Sequence, residues 1–277
     1  SIMLIAQITD THIKPNGALA YGNVLDSALC LKNVVKHCNK FNPTIDLAIV
    51  TGDLTDSGKM EEYEEFNKIL RDLKMPWFVI PGNHDNSKNL MHFFDKHEYL
   101  PRNEKYCNYV IDKYPFTLMG LDTTVIGENF GELSDESLQW LELNLKRYSS
   151  KPTILFMHHP PFEIGIDGMD NQNLKNSAKL FEILRSYPHV KHIACGHAHR
   201  ATETVIDGIG ISIAPNGAHS VNLDLISKNP LMFIMEPAAI RIFKLNLISK
   251  NVISHLSFVG KFDGPYPFYS ECGVLLD

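Results

Sequence analysis

The sequence predicts an α/β fold of the four-layer αββα kind, with two mixed sheets face to face, helices outside them and a strand-rich C-terminal tail. Three observations carry this. Strand-like and helix-like runs alternate through the first two-thirds of the chain, and the helical period disappears after Arg200. Five short apolar runs end abruptly in clusters of Asp, Asn or His. Alternation followed by a succession of strands suits one core with two sheets.

The elements follow in order. Residues 3–9 form a strand-like run, and a Gly/Asn/Pro loop at 15–23 leads into 24–39. There Leu25, Ala28, Leu29, Leu31, Val34 and Val35 recur at helical spacing. Leu47–Thr51 is a buried-strand run, and 59–73 is a helix presenting Tyr63, Phe66, Ile69, Leu70 and Leu73 on one face. Trp77–Ile80 is a strand and 87–97 a short helix. Residues 106–111 and 116–121 are strands paired through a turn at 113–115. Ser134 starts a helix with Asp135 and Glu136 in its first turn and Trp140, Leu141 and Leu145 along its stripe. Thr153–Met157, a helix over 174–186 and Val190–Cys195 complete the alternation. Residues 203–207, 209–214, 239–246 and 252–259 read as strands, mostly antiparallel.

No linker-like shift in composition divides the 277 residues, so 1–277 is expected to be one domain, with 222–277 a strand-rich extension serving oligomerisation into a dimer or higher assembly. The formal net charge is −6 and there is no basic block, which argues against a nucleic-acid partner. Five scattered cysteines without CxxC spacing read as reduced thiols, giving an expected cytoplasmic location. The chain enters directly into a strand-like run, so no signal peptide is expected. The apolar stretch 231–235 is far too short to span a membrane, and no membrane partner is expected.

The chemistry lies in the five strand endings: Asp10 and His12; Asp53; Asn83, His84 and Asp85; His158 and His159; His197 and His199. Open α/β sheets bind ligands beyond the carboxyl ends of their strands, so side chains distant in sequence become neighbours there. Taken singly the clusters say little, since Asp after a strand is an ordinary turn residue. Five in the same position have a poor structural explanation. Imidazole, carboxylate and carboxamide without thiolate suit Fe, Mn, Zn or Co better than Mg or Ca. Asp10, His12, Asp53, Asn83, His158, His197 and His199 make seven candidate ligands. One catalytic zinc takes about three. Seven suit two divalent ions with a shared carboxylate, the clamp used for in-line displacement at phosphorus. With only two carboxylates in the set, such a site stays net positive and attracts an anionic ester. His84 is then placed to meet the phosphoryl group or protonate the leaving alkoxide, with Asp85 expected to orient it. His159 adjoins a ligand, but strand alternation points it elsewhere, toward a packing role.

Asp10-x-His12, Gly52-Asp53, Gly82-Asn83-His84-Asp85, His158-His159 and Gly196-His197-x-His199 resemble the ordered blocks of the calcineurin-like metallophosphoesterase superfamily. Spacing and short loops are similar to the class III cyclic nucleotide phosphodiesterases. YGNVLDSA, PGNHD, FMHHPP and NGAHSV resemble most closely the bacterial glycerophosphodiesterases of that group, over about residues 3–222. The resemblance implies one metal held by Asp10, His12, Asp53 and His199, and a second by Asp53, Asn83, His158 and His197. It also implies that His84 and His219 lie near the substrate phosphate. The expected function is hydrolysis of small phosphodiesters, cyclic nucleotides or glycerophosphodiesters, by attack of metal-bound hydroxide. The alternatives are a phosphomonoesterase or protein phosphatase, for which the catalytic loops carry few cations beyond Arg200, and a non-catalytic scaffold, against which the intact ligand set counts. A nuclease lacks the basic stripe and aromatic platform it needs.

Overall fold

The computed structural model describes residues 2–226 and 228–277. Its first sheet has the order β13-β12-β1-β2-β3, built from Val252–Phe258, Ala239–Asn246, Ile2–Ile8, Leu47–Thr51 and Trp77–Ile80. The second has the order β4-β5-β6-β7-β9-β8, built from Tyr109–Ile111, Thr117–Leu121, Thr153–Met157, Val190–Cys195, Ile209–Ile213 and Thr202–Ile206. Both are mixed. β1, β2 and β3 run parallel, as do β5, β6, β7 and β9, while β12, β13, β4 and β8 pair antiparallel. The ligand-bearing strands are the parallel ones, so their carboxyl ends share one edge.

Period-two alternation assigns the faces. Leu118, Ile154, Phe156 and Ala194 point into the core shared with the first sheet. Their neighbours Met119, Leu121, Leu155, Met157, Ile193 and Cys195 join a second core under the outer helices. That layer holds α4 (Asp135–Arg147) through Leu138, Leu141 and Leu145, and α6 (Ser177–Leu184) through Leu180, Phe181 and Leu184. Outside the first sheet lie α1 (Ser27–Lys40) with Leu31, Val34, Val35 and Cys38, and α2 (Met60–Leu70) with Tyr63, Phe66, Ile69 and Leu70. Leu141 and Leu145 are fully buried, and truncating such a leucine to alanine costs about 2–5 kcal/mol.

The boundaries move for local reasons. The helix expected from 24 starts at Ser27, because the Asp26 carboxylate accepts from the Leu29 N–H as its cap. The helix expected from 174 starts at Ser177, because Leu174 and Lys175 give their N–H groups to the Pro160 and Gly131 carbonyls in the loops. Ser134 caps α4 as expected, its Oγ accepting from Ser137 N at 3.0 Å. The short helices α3 (Ser87–Phe93) and α5 (Asp167–Asp170) sit in connecting loops.

The stretch expected as a C-terminal extension divides into parts. β12 lies against β1 along six residue pairs, with Ala239, Ile240, Arg241, Ile242 and Phe243 all buried, so this stretch completes the first sheet. By contrast, β10 (Ser220–Val221) and β11 (Phe233–Ile234) form a separate two-stranded ribbon. The ribbon and the chain end expose Leu225, Ile226, Met232, Phe262 and Phe268.

Candidate metal centre

The ligand side chains lie one to four residues beyond the ends of their strands, where the chain has left the extended conformation. Asp10, His12, Asp53, His197 and His199 all have positive φ, between 44° and 75°. Non-glycine residues avoid that region at a cost of order 1–3 kcal/mol each, and such strain concentrates where a side chain must be aimed. Glycines permit the close approach. A Cβ on Gly82 would stand 2.3 Å from Asp53 Oδ1, and one on Gly196 2.2 Å from Thr9 Oγ1.

The result is three overlapping groups, one of them His12, Asp56 and His84, and the other two sharing Asp53. Ligand atoms of Asp10, His12, Asp53 and His199 lie within 4.8 Å of one another, as do those of Asp53, His158 and His197. His12 Nε2 is 3.1 Å from His199 Nε2, and His199 Nε2 is 3.0 Å from Asp10 Oδ1. Asp53 Oδ2 stands 3.7 Å from His12 Nε2 and 3.2 Å from His158 Nε2, facing both groups. His158 Nε2 also meets Asn83 Oδ1 at 3.1 Å and His197 Nδ1 at 3.2 Å. All seven expected ligands therefore come together, six of them buried and Asn83 half-buried.

The donor set fits cations. Each carboxylate has one oxygen engaged and one presented. Asp10 Oδ2 accepts from Thr9 Oγ1 and from the His197 N–H, while Asp10 Oδ1 is buried without a hydrogen-bond partner among the described residues. Asp53 Oδ1 accepts from the His84 N–H at 2.8 Å, leaving Oδ2 to face the imidazoles. Imidazole nitrogens and a bare carboxylate oxygen converging at about 3 Å serve a metal ion better than they serve one another.

Electrostatics follow from burial and neighbours. Burial alone would raise Asp10 and Asp53; His199 and His158 beside the first, and His158 and His12 beside the second, outweigh it and hold both well below the usual carboxylate range. Burial lowers His12 and His197 to about 3. His158 goes the other way: burial opposes its charge, but Asp53 and Asp10 raise it to about 9. An imidazolium cannot ligate, so metal binding here is coupled to loss of that proton.

Outer contacts aim the rings. His158 Nδ1 lies 2.7 Å from the Thr51 carbonyl, which it serves as donor, leaving Nε2 toward the cluster. His199 Nδ1 lies 2.9 Å from His219 Nε2. His219, expected near the phosphate, is thus buried against a ligand and meets the Tyr21 ring edge to face at 4.7 Å between centroids. His159 bridges Thr123 Oγ1 and the Asn129 carbonyl, as its strand position implied.

One expectation is corrected. His84 is held by its Nδ1, 2.8 Å from the Asp56 carbonyl, and Asp85 is not its partner. The Asp85 carboxylate instead accepts from Leu54 N, Thr55 N, Thr55 Oγ1, Tyr63 OH and Gly82 N. Asp85 fixes the loop and Asp56 fixes the ring. Burial and Asp53 raise Asp85 to about 6. Arg200, the nearest cation by sequence, donates to the Val221 carbonyl and pairs with Glu236, tying down the β10–β11 ribbon. The sequence reading also passed over Asp122 and Thr123 at the end of β5. Their run, LMGLDTT, has the same grammar as the other five, but its hydroxyls are not ligand types.

Among the described residues no helix is long and apolar enough to cross a membrane. A family model described as calcineurin-like phosphoesterase matches residues 3–201. A probable glycerophosphodiester phosphodiesterase of Arcobacter nitrofigilis is 41% identical over 276 residues, 99% of this chain and 100% of the relative. A glycerophosphodiester phosphodiesterase of Enterobacter lignolyticus is 32% identical over 220 residues, 79% of each chain. A 3′,5′-cyclic adenosine monophosphate phosphodiesterase of Escherichia coli K12 is 29% identical over 215 residues, 76% of this chain and 75% of the relative. Among solved structures, a dimetal phosphatase from Danio rerio shares the fold at TM-score 0.65 and 14% identity, over 91% of this chain and 98% of that one.

Proposed function

Since the chain belongs to the calcineurin-like phosphoesterase family, we propose that it is a dinuclear phosphodiesterase whose substrates are small diesters, glycerophosphodiesters before cyclic nucleotides. The observation that carries this is Asp53 facing both ligand groups; the full-length likeness to a glycerophosphodiesterase supports the order of substrates. Asp10, His12, Asp53 and His199 hold one ion; Asp53, Asn83, His158 and His197 hold the other. Nitrogen and oxygen donors without sulfur favour Mn, Fe, Zn or Co. Bound there, two divalent ions supply Lewis acidity at phosphorus and make hydroxide available near neutral pH.

The chain's own groups do the rest. His84 donates from Nδ1 to the Asp56 carbonyl, so as the imidazolium it also carries an Nε2 proton for the phosphoryl oxygen or the leaving alkoxide. Its pKa is raised, because Asp53 and the Asp56 carbonyl outweigh burial, so that proton is held closer to neutrality. Asp53 also receives the His84 N–H, so the shared ligand and the acid are set by one contact. Tyr21, His219 and Phe233 form an aromatic wall that limits water on the His12 side. A monoester carries an additional charge, and Arg200 is already paired with Glu236, which favours diesters.

The five free cysteines support a cytoplasmic site of action. Exposed apolar residues on the ribbon and chain end, Met232 and Phe268 among them, support a homo-oligomer, which sedimentation velocity tests. The functional test is turnover of glycerophosphoethanolamine, cyclic AMP and a simple monoester by protein reconstituted with Mn or Fe. Diesters are expected to be cleaved fastest; preference for the monoester would overturn the reading.

A further inference from the structure

The His219 imidazole is buried, yet hydrogen bonding fixes it at one atom only. Its Nε2 lies 2.9 Å from His199 Nδ1, while its Nδ1 is buried without a hydrogen-bond partner among the described residues. Its backbone is anchored separately. The Asn216 side chain donates to the Asp10 carbonyl and accepts from the Ala218 N–H. A Cβ on Gly217 would stand 2.2 Å from Val34 Cγ2, so this turn lies tightly against α1. What hydrogen bonding leaves open is rotation of the ring, whose terminal torsion is broad and two-fold in histidine. A half-turn would put Cε1 where Nε2 stands, and His199 would lose its acceptor.

Two aromatic rings supply the missing constraint. Tyr21, from the loop after β1, meets the His219 ring at 4.7 Å between centroids and 62°. Phe233, from β11, meets it at 5.6 Å and 79°. Both are edge-to-face contacts within the favoured range of separations. The Tyr21 and Phe233 rings lie 5.2 Å apart, so each also supports the other.

The strand that carries Phe233 is tied to the same ligand by a second route. Arg200, directly after His199, donates from Nε to the Val221 carbonyl and pairs with Glu236. Val221 is the partner of Phe233 across the ribbon. The β10–β11 ribbon therefore bears on His199 along the chain through Arg200 and through space through Phe233 and His219. His158 and His197 are backed instead by the Thr51 carbonyl and the His159 ring.

We propose that Phe233 is a positioning residue for one of the two ions. Its ring holds His219 in the orientation that accepts from His199, and so sets the affinity of the ion held by Asp10, His12, Asp53 and His199. This rests on the dinuclear reading above and gives the ribbon a part in it.

Metal affinity, read by chelator competition as metal-free protein is titrated with Mn and without any substrate, tests this through a double-mutant cycle. Losing a direct partner of a ligand costs about 10–100-fold in affinity, so Phe233→Ala, one contact further out, is expected to weaken one ion about fivefold and leave the other unchanged. In the His219→Ala background Phe233→Ala is expected to add nothing. Phe233→Tyr, which keeps the ring, should bind both ions as the parent does, and so should Met232→Ala, which truncates a neighbouring ribbon side chain that is 59% exposed. The proposal is overturned, with the dinuclear reading intact, by any of four results: no effect of Phe233→Ala, equal weakening of both ions, an effect that persists without His219, or the same effect from Met232→Ala. A parent protein that binds fewer than two ions overturns the dinuclear reading, and this proposal with it.

Discussion

The two sheets meet at the same edge but bring different chemistry to it. The first delivers Asp10, His12, Asp53, Asn83 and His84, hence both carboxylates and the carboxamide; the second delivers only imidazoles, His158, His197 and His199. Both groups that contain Asp53 need the two sheets together, because Asp53 meets His158 and Asp10 meets His199 across the seam. The site is the seam between the sheets. Cross-sheet bonds cluster there: His158 Nδ1 to the Thr51 carbonyl, the His197 N–H to Asp10 Oδ2, and Gln7 Nε2 to the Cys195 carbonyl. In register with Gln7 and Cys195, Arg241, 1% exposed, also pins the sheets by donating to the Ile213 carbonyl while paired with Glu203.

The sharpest way to break this comparison is at Asp53, the one residue common to both groups. Asp53→Ala is expected to lower kcat by about a thousandfold or more, since it removes a ligand from both ions and the acceptor for the His84 N–H. Metal content by mass spectrometry should fall toward zero per chain. Retention of both ions would show that the sheets do not share a ligand.

His158→Ala attacks the imidazole side alone. It is expected to leave one ion per chain and to cost roughly a hundredfold in kcat. Equal loss of both ions would mean that the second sheet organises the whole site and not one half of it.

The metal-free protein offers a third contrast, in pH. His158 is raised to about 9 by Asp53 and Asp10 against its burial, so its contribution is fully present below the unfolded pKa of about 6.5 and is lost as pH rises through 9. Its size is on the order of 3 kcal/mol. His12 and His197, lowered to about 3 by burial, act oppositely and withdraw stability as pH falls below about 6.5. Asp10 and Asp53, held low, add to the loss on further acidification. Urea unfolding of chelator-treated protein is therefore expected to peak near pH 6.5 and to weaken toward both pH 4.5 and pH 9.5. A flat profile above pH 6.5 would mean that His158 is not held as a cation between the carboxylates.

Most of the architecture was legible because it depends on period: two for strands, 3.6 for helices, and ligand types at strand ends. The exceptions share a cause. The placement of β12 beside β1 depends on a pairing across more than 230 residues, about which local pattern says nothing. Asp56 acts on His84 through its carbonyl, and every residue type has a carbonyl. Asp85 looked like the partner of His84 because it is adjacent in sequence, but five donors from the β2 and β3 loops and α2 claim it first. Outer contacts made by backbone, or by loops folding over from elsewhere, leave no residue-type signature.

His219 gives the smallest and most discriminating test. The family resemblance implied a place near the phosphate; the structure puts its Nε2 2.9 Å from Nδ1 of His199, on the side away from Asp10. Burial, with His199 and His12 nearby, lowers it to about 3, so it is neutral at working pH and able to accept the His199 Nδ1 proton, leaving Nε2 of that ring as a lone pair for the ion. A residue acting in this way tunes one ion's affinity, and loss of such a partner costs about 10–100-fold in metal affinity. His219→Ala is expected to weaken one of the two ions by about tenfold, leave the other unchanged, and recover its kcat when metal is supplied in excess. His219→Gln, which keeps an acceptor near the same place, should restore part of the affinity. If His219 instead met the substrate, excess metal would not rescue the variant, and the defect would appear in KM with both ions bound at full strength.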